Sequence, residues 1–71
     1  MQGTIKTVIP AKGFGFIRRS NGEPDLFFHF RQCDFGAMPF DEQLTEREVT
    51  FTETTDHRNG KPMASDVRFA R

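Results

Sequence analysis

Two short segments near the start of the chain concentrate aromatic and cationic side chains. The first is KGFGFIRR, residues 12–19, and the second is DLFFHF, residues 25–30. They hold five of the nine phenylalanines, and the chain has no Trp or Tyr. Unpaired bases stack on flat rings while Lys and Arg contact phosphates, so this combination is typical of a surface for single-stranded nucleic acid.

Alternation along a strand predicts which of these side chains share a face, because successive side chains point to opposite sides. The rings of Phe14, Phe16, Phe27 and His29 then lie together, near Lys12 and Arg18. The opposite face holds a natural core set of Ile17, Leu26 and Phe28. Gly15 also lies on that inner face, where a missing side chain lets a small barrel coil tightly.

The two faces can also be assigned the other way, with Phe14, Phe16 and Phe27 in the core. In that case Ile17, Leu26, Phe28 and Phe30 would be exposed. Either assignment leaves an apolar patch on the surface, and an exposed patch of this kind usually marks a binding site.

Turn signals divide the rest of the chain into short runs. The clusters SNGEP (20–24) and RNGKP (58–62) are typical of turns. The β-like runs are TIKTVI, FGFIRR, DLFFHF, EVTFTE and MASDVRFA, and DEQLTERE allows about one helical turn. We therefore predict one all-β domain over residues 1–71, with its first three strands as a meander.

Charge is unevenly distributed although the formal net charge is zero. Residues 1–33 carry five cations and two acids, residues 34–56 one and seven, and residues 57–71 four and one, which gives net charges of +3, −6 and +3. A positive face opposite a negative one is one reading, and a mixed solvated surface is the other.

The remaining composition points to a reducing, cytoplasmic location. The single cysteine, Cys33, excludes an internal disulfide. No apolar run approaches the ~18 residues of a membrane span, and we expect no signal peptide.

The two opening segments resemble the paired ribonucleoprotein motifs of the cold-shock domain. The patterns Gly3-x-Ile5-Lys6, Val49-x-Phe51 and Gly60-x-Pro62-x-Ala64-x-x-Val67 resemble other strands of that family, so the similarity spans nearly the whole chain. The RNA recognition motif is excluded, because its glycine-rich motif comes second and follows helical sequence. The resemblance implies a five-stranded antiparallel Greek-key barrel of the oligonucleotide-binding (OB) type.

Carried over by position, the resemblance also implies a set of binding residues. Bases would stack on Phe14, Phe16, Phe27 and His29, with Phe30 turning onto the same face at the strand end. Lys6 and Lys12 would hold backbone or base edges, and Asp25 would hydrogen-bond a base. Either Phe35 or Phe40 would supply a further ring.

This chain departs from the family pattern in two places. Thr7 and Val8 stand where the family usually has tryptophan and phenylalanine, so one or two stacking positions are absent. The loop after the third strand is acidic, through Asp34, Asp41 and Glu42. We therefore expect binding that is weaker than is typical of the family, or displaced along the sheet.

The implied function is sequence-tolerant binding of single-stranded RNA or DNA by an RNA chaperone or a regulator of transcription or translation. The protein is expected to be a monomer, with a strand-exchanged dimer as an alternative. The rival function is a protein-interaction module that kept the barrel but weakened or lost nucleic-acid binding.

An enzyme is a distant third, because no nucleophile–base pair is visible and Cys33 has no adjacent base. His29, Cys33 and His57 are too few for a zinc site. We therefore predict no catalytic residue, no metal and no cofactor.

Overall fold

β-strands dominate residues 1–70, the part of the chain that the computed structural model describes; Arg71, the last residue of the predicted domain, lies outside the described residues. The strands are β1 (Gln2–Ile9), β2 (Phe14–Arg19), β3 (Leu26–His29), β4 (Cys33–Asp34), β5 (Glu48–Thr55) and β6 (Pro62–Phe69). Two 3-10 helices, Phe30–Gln32 and Glu42–Leu44, lie between β3 and β5. All five predicted strands are present, and the two-residue β4 is an addition. Neither helix in residues 1–70 is long and apolar enough to cross a membrane.

The strand order is that of a Greek-key barrel, which confirms the predicted fold class. β1, β2 and β3 form the predicted meander. β5 then pairs with the other edge of β1, and β6 pairs with β5, which gives the order β3-β2-β1-β5-β6. The barrel closes where β3 pairs with β6 through Phe27 opposite Met63 and Phe28 opposite Ala64. This closing pair is parallel, because an odd number of strands cannot alternate in direction all the way around a closed barrel.

The barrel interior holds the side chains that alternation assigned to the core. Ile17, Leu26 and Phe28 are each at most 1% exposed, so the reversed assignment of faces is wrong. The other buried apolar residues are Ile5, Val8, Phe35, Leu44, Val49, Phe51, Ala64 and Val67. Each fully buried Val, Leu, Ile or Phe contributes about 1.5–3 kcal/mol relative to an exposed side chain, so this cluster is the main source of stability.

A bulge in β1 breaks strict alternation just before the aromatic face. Ile5 lies opposite Ile17, but the next partner of β2 is Thr7 opposite Phe16, which leaves Lys6 as the extra residue. Lys6 and Thr7 are therefore both exposed, and Val8 turns inward. Val8 is thus a core residue, and Thr7 alone occupies a surface position beside Phe16.

Arg19 ends β2 on the inner face and is only 7% exposed. Its Nη1 atom donates to Glu23 Oε1 at 2.6 Å and to Glu53 Oε1 at 3.3 Å. A buried guanidinium is tolerated only when it is paired, because desolvating an unpaired charge costs several kcal/mol. The two pairs tie the turn after β2 to β5, at the end of the barrel away from Phe14.

Gly15 marks a close approach of β1, β2 and β3. A Cβ atom at this position would meet the carbonyl oxygen of Thr7 and would lie 3.0 Å from the Phe28 ring. Both neighbours are fixed, one as backbone and the other as a core ring. The glycine between the two outward-facing phenylalanines of β2 is therefore required by the packing beneath them.

We predict that Gly15→Ala destabilises the fold by about 3 kcal/mol, the upper part of the range for overpacked cores, because neither neighbour can move away. Gly36→Ala is the matched control, since its new Cβ would meet nothing within 4 Å and carries only the backbone cost of φ +63°, about 1–2 kcal/mol. Urea unfolding followed by circular dichroism measures both. Equal losses in the two variants would contradict the close approach.

Candidate nucleic-acid interface

Three phenylalanine rings form one cluster on the outer face of β2 and β3. Phe16 lies directly opposite Phe27, and Phe14 lies opposite His29. The ring centroids of Phe14 and Phe27 are 5.3 Å apart, and Phe16 lies 6.0 and 6.1 Å from these two rings in edge-to-face contacts. Each ring is half-buried, so the cluster supports itself while its outer surface stays accessible.

His29 and Phe30 extend this aromatic face past the end of β3. The Phe30 N–H donates to the Gly13 carbonyl at 2.9 Å, and the first 3-10 helix begins at this residue. Because the strand ends at His29, Phe30 escapes the inward position that alternation would give it and is 46% exposed. The two rings lie 4.9 Å apart at 33°.

The orientation of His29 is fixed by its backbone neighbours. Its Nδ1 atom accepts a hydrogen bond from the Arg31 N–H at 3.2 Å and so caps the 3-10 helix. A neutral imidazole that accepts at Nδ1 carries its proton on Nε2. The Nε2–H group can therefore donate a hydrogen bond to a base or to a phosphate oxygen.

A groove of about 670 Å³ runs along the aromatic face, hereafter the first groove. The phenylalanine cluster and His29 form its floor, and the turn between β5 and β6 forms one wall. Three cations line it, namely Lys12, Arg58 and Lys61. Apolar rings with cations at the rim are the arrangement that single strands require.

Sequence reasoning missed Arg58 and Lys61 as members of this site. The RNGKP cluster indicated a turn, but turn chemistry does not say which side of the sheet a turn covers. The only hint was the net charge of +3 in residues 57–71.

Asp56 holds the turn between β5 and β6 in place. Its backbone N–H donates to the Lys61 carbonyl at 2.8 Å, and its own carbonyl accepts from the Gly60 N–H at 2.7 Å. The carboxylate accepts from the Arg58 N–H at 2.9 Å and contacts the Arg58 guanidinium. The hydrogen bond from the Arg58 backbone N–H has the largest effect on the pKa of Asp56 and, together with that from the Arg58 side chain, holds this pKa below its usual range. Asp56 is therefore a charged residue that shapes the wall.

Lys6 and Asp25 form an ion pair with each other. Lys6 Nζ lies 2.9 Å from Asp25 Oδ2, with the side chains 54% and 32% exposed. A pair this exposed contributes about 0.2–1 kcal/mol, so a phosphate or a base can displace either partner at small cost. Next to the pair, Thr7 offers no ring opposite Phe16.

Of the two phenylalanines in the loop between β4 and β5, Phe40 contacts a ring of the aromatic face and Phe35 does not. Phe35 is 9% exposed and stacks on Phe69 at 4.6 Å, in the core. Phe40 is half-buried, with its centroid 6.0 Å from Phe28 and 5.9 Å from Phe30. Phe40 therefore supports Phe30 from behind, whereas Phe35 is a core residue.

The other charges near the face are mostly engaged elsewhere. Arg18 lies 3.9 Å from Glu46, and Asp41 caps the second 3-10 helix by accepting from the Gln43 N–H at 2.9 Å. Of the acidic loop residues, none lines the first groove. The loop carboxylates that were expected to repel phosphates therefore lie outside the first groove.

Cys33 is half-buried, and its Sγ atom donates to the His29 carbonyl at 3.5 Å. Burial raises the pKa of the thiol to about 12, so almost none of it is the reactive thiolate at neutral pH. Within residues 1–70, no three His, Cys, Asp or Glu side chains converge as metal ligands would.

Comparison with known proteins decides the family. The "'Cold-shock' DNA-binding domain" family matches residues 1–70. Cold shock protein CspA of Rhizobium meliloti is 35% identical over 69 residues, which is 96% of both chains. The chain belongs to the cold-shock domain family.

Other relatives agree with this assignment. Cold shock protein ScoF of Streptomyces coelicolor is 34% identical over 65 residues, covering 92% of this chain and 91% of that protein. The solved structure of Drosophila Unr CSD456 superposes with a TM-score of 0.77 and 28% identity over 99% of this chain, which spans 26% of that longer one. Cold-shock domains are nucleic-acid-binding modules, so the groove lies in a fold whose family binds nucleic acid.

We predict that truncation of a ring mainly weakens binding on the aromatic face and mainly lowers stability in the core. Phe16→Ala should weaken binding of a labelled single-stranded oligonucleotide by about 1–3 kcal/mol, the value of one base stack. It should lower the free energy of unfolding by about 1–3 kcal/mol, because two edge-to-face contacts of about 0.5–1.5 kcal/mol each are lost. Phe28→Ala should instead cost about 3–5 kcal/mol of stability, because Phe28 is fully buried.

Fluorescence anisotropy and urea unfolding measure the two quantities. A folded Phe16→Ala protein with unchanged affinity would contradict the role of the ring.

Proposed function

We propose that this protein binds single-stranded RNA or DNA with little sequence preference, through bases stacked on its outer aromatic face. Phe14, Phe16 and Phe27 would supply the central stacking surface, continued by His29 and Phe30. Lys12, Arg58 and Lys61 would contact phosphates along the rim. The observation that carries the proposal is the accessible cluster of three phenylalanine rings with three cations beside it.

Magnitudes favour stacking over charge as the main source of affinity. Each stacked base contributes about 1–3 kcal/mol, whereas an exposed cation–anion contact contributes about 0.2–1 kcal/mol. Two carboxylates also line the first groove, Asp25 and Asp56, and each is already paired with a cation. The affinity should therefore keep a large part of its value at high salt.

Binding of this kind supports a role as an RNA chaperone in the cytoplasm. A monomer that traps unpaired strands shifts weak RNA hairpins toward the open state without using ATP. The effect on gene expression would follow from the opened structures, at the level of transcription or translation. Stacking alone does not distinguish RNA from DNA, because it makes no use of the 2′-hydroxyl.

The proposal predicts a strong preference for single strands over duplex, because paired bases cannot offer their faces to the rings. Anisotropy of one labelled strand, alone and annealed to its complement, measures this preference. The label must be on the nucleic acid, since the protein has no Trp or Tyr. The double variant Phe16→Ala/Phe27→Ala is the matched control and should lose single-strand binding.

Equal affinity for both forms would contradict base stacking. No binding to either form would favour the protein-interaction module, for which the missing tryptophan at Thr7 and the Lys6–Asp25 pair are the supporting observations.

We further predict that Thr7→Trp tightens single-strand binding by about 5- to 150-fold, the equivalent of one added stack. Thr7 is exposed and lies directly opposite Phe16, so an indole there would extend the phenylalanine cluster. Thr45→Trp, at an exposed loop position away from the first groove, is the control and should change affinity little. Unchanged affinity in a folded Thr7→Trp protein would show that bases do not reach β1.

A further inference from the structure

A second groove, of about 660 Å³, lies on the far side of His29. His29, Asp56 and Arg58 line both grooves, so the two adjoin at the end of β3. The other residues that line the second groove include Phe30, Arg31, Thr54, Thr55, His57 and Met63.

The second groove exists because the barrel seam opens here. β3 and β6 pair only as far as Phe28 opposite Ala64, and β6 is paired again where Cys33 of β4 lies opposite Val67. Between these points the chain leaves the sheet as the first 3-10 helix, which carries Phe30 and Arg31 outward. The groove therefore lies at this gap in strand pairing, and β5, β6 and the first 3-10 helix all contribute lining residues.

Charge in the second groove favours an anion. Arg31 forms no ion pair with any of residues 1–70, and its guanidinium lies 6.0 Å from the centre of the Phe30 ring. Asp56 is the one carboxylate among the lining residues that the structure describes, and Arg58 already occupies it. A guanidinium without a carboxylate partner, at the end of a row of rings, is suited to a phosphodiester.

We propose that the second groove holds the sugar–phosphate backbone of the nucleotides that flank the stacked segment, with Arg31 as its phosphate ligand. This inference rests on the proposed function, since the strand must first lie on the aromatic face. The chain of the nucleic acid would pass from the phenylalanine cluster over His29 and Phe30, then turn across the seam. Backbone is favoured over bases because Phe30 is the one phenylalanine among the described lining residues, against three in the first groove, whereas Thr54 and Thr55 carry hydroxyls.

The test uses probes that differ only in the phosphates outside the first groove. Each has a core of about six thymidines, within the ~4–16 nucleotides that one OB fold covers. One set is extended at the 5′ or the 3′ end by abasic phosphodiester units, and the other by uncharged ethylene-glycol spacers of equal length. The bases and their possible registers are then identical, so any difference in affinity comes from the added phosphates.

We expect the phosphate extension at one end to tighten binding about 3- to 10-fold over the uncharged one at low salt, and the gain to fade as salt screens it. Arg31→Gln should abolish this gain while binding the unextended core as the unaltered protein does. Arg68→Gln is the charge-matched control, because Arg68 pairs with Asp66 and lines neither groove. It should retain the gain.

The two proposals fail in different ways. Absence of binding to the unextended core would overturn the proposed function. Binding of the core with no gain at either end would overturn the second groove alone, as would a gain that survives Arg31→Gln or that Arg68→Gln removes equally.

Discussion

Gly15 lies where β1, β2 and β3 press together on the inside of the barrel, against the Thr7 carbonyl and the Phe28 ring. The rest of the interface depends on this contact. With no side chain at position 15, β2 can coil closely over the core and present its two neighbouring phenylalanines outward, opposite His29 and Phe27. The alternation of glycine with phenylalanine thus serves both sides of β2, because it allows close packing inside the barrel and leaves accessible rings outside.

Much of this could be predicted from the sequence, because it follows from a period of two. Alternation assigned Ile17, Leu26 and Phe28 to the core, and the structure confirms all three. Alternation cannot predict the β1 bulge, where an extra residue changes the face of Thr7 and Val8 and leaves no mark in composition. Alternation also could not predict the positions of loop residues. Nothing periodic distinguishes Phe35 from Phe40, and their positions depend on tertiary contacts with Phe69 and Phe30.

The candidate site was predicted in part for the same reason. Residues on β2 and β3 follow from alternation, and the exposed position of Phe30 came from the family resemblance. The cations of the β5–β6 turn come from the far end of the chain, and only the closure of β6 against β3 brings them to the rings. The ion pair between Lys6 and Asp25 joins residues that are far apart in the sequence, so sequence patterns did not predict it, and the role of both residues toward a ligand stays a prediction.

The uneven charge distribution has a consequence for kinetics. With a formal net charge of zero and its acids gathered in the middle of the chain, the protein exerts little long-range attraction on a polyanion. Encounter with a strand should then proceed near the unassisted range of about 10⁵–10⁶ M⁻¹s⁻¹, well below rates reached by electrostatic steering. At a given affinity, slow association implies an equally slow release, so each complex would outlast one formed by a strongly basic protein of equal strength. Occupancy would respond to changes in the supply of single strands with a delay, and less to changes in salt.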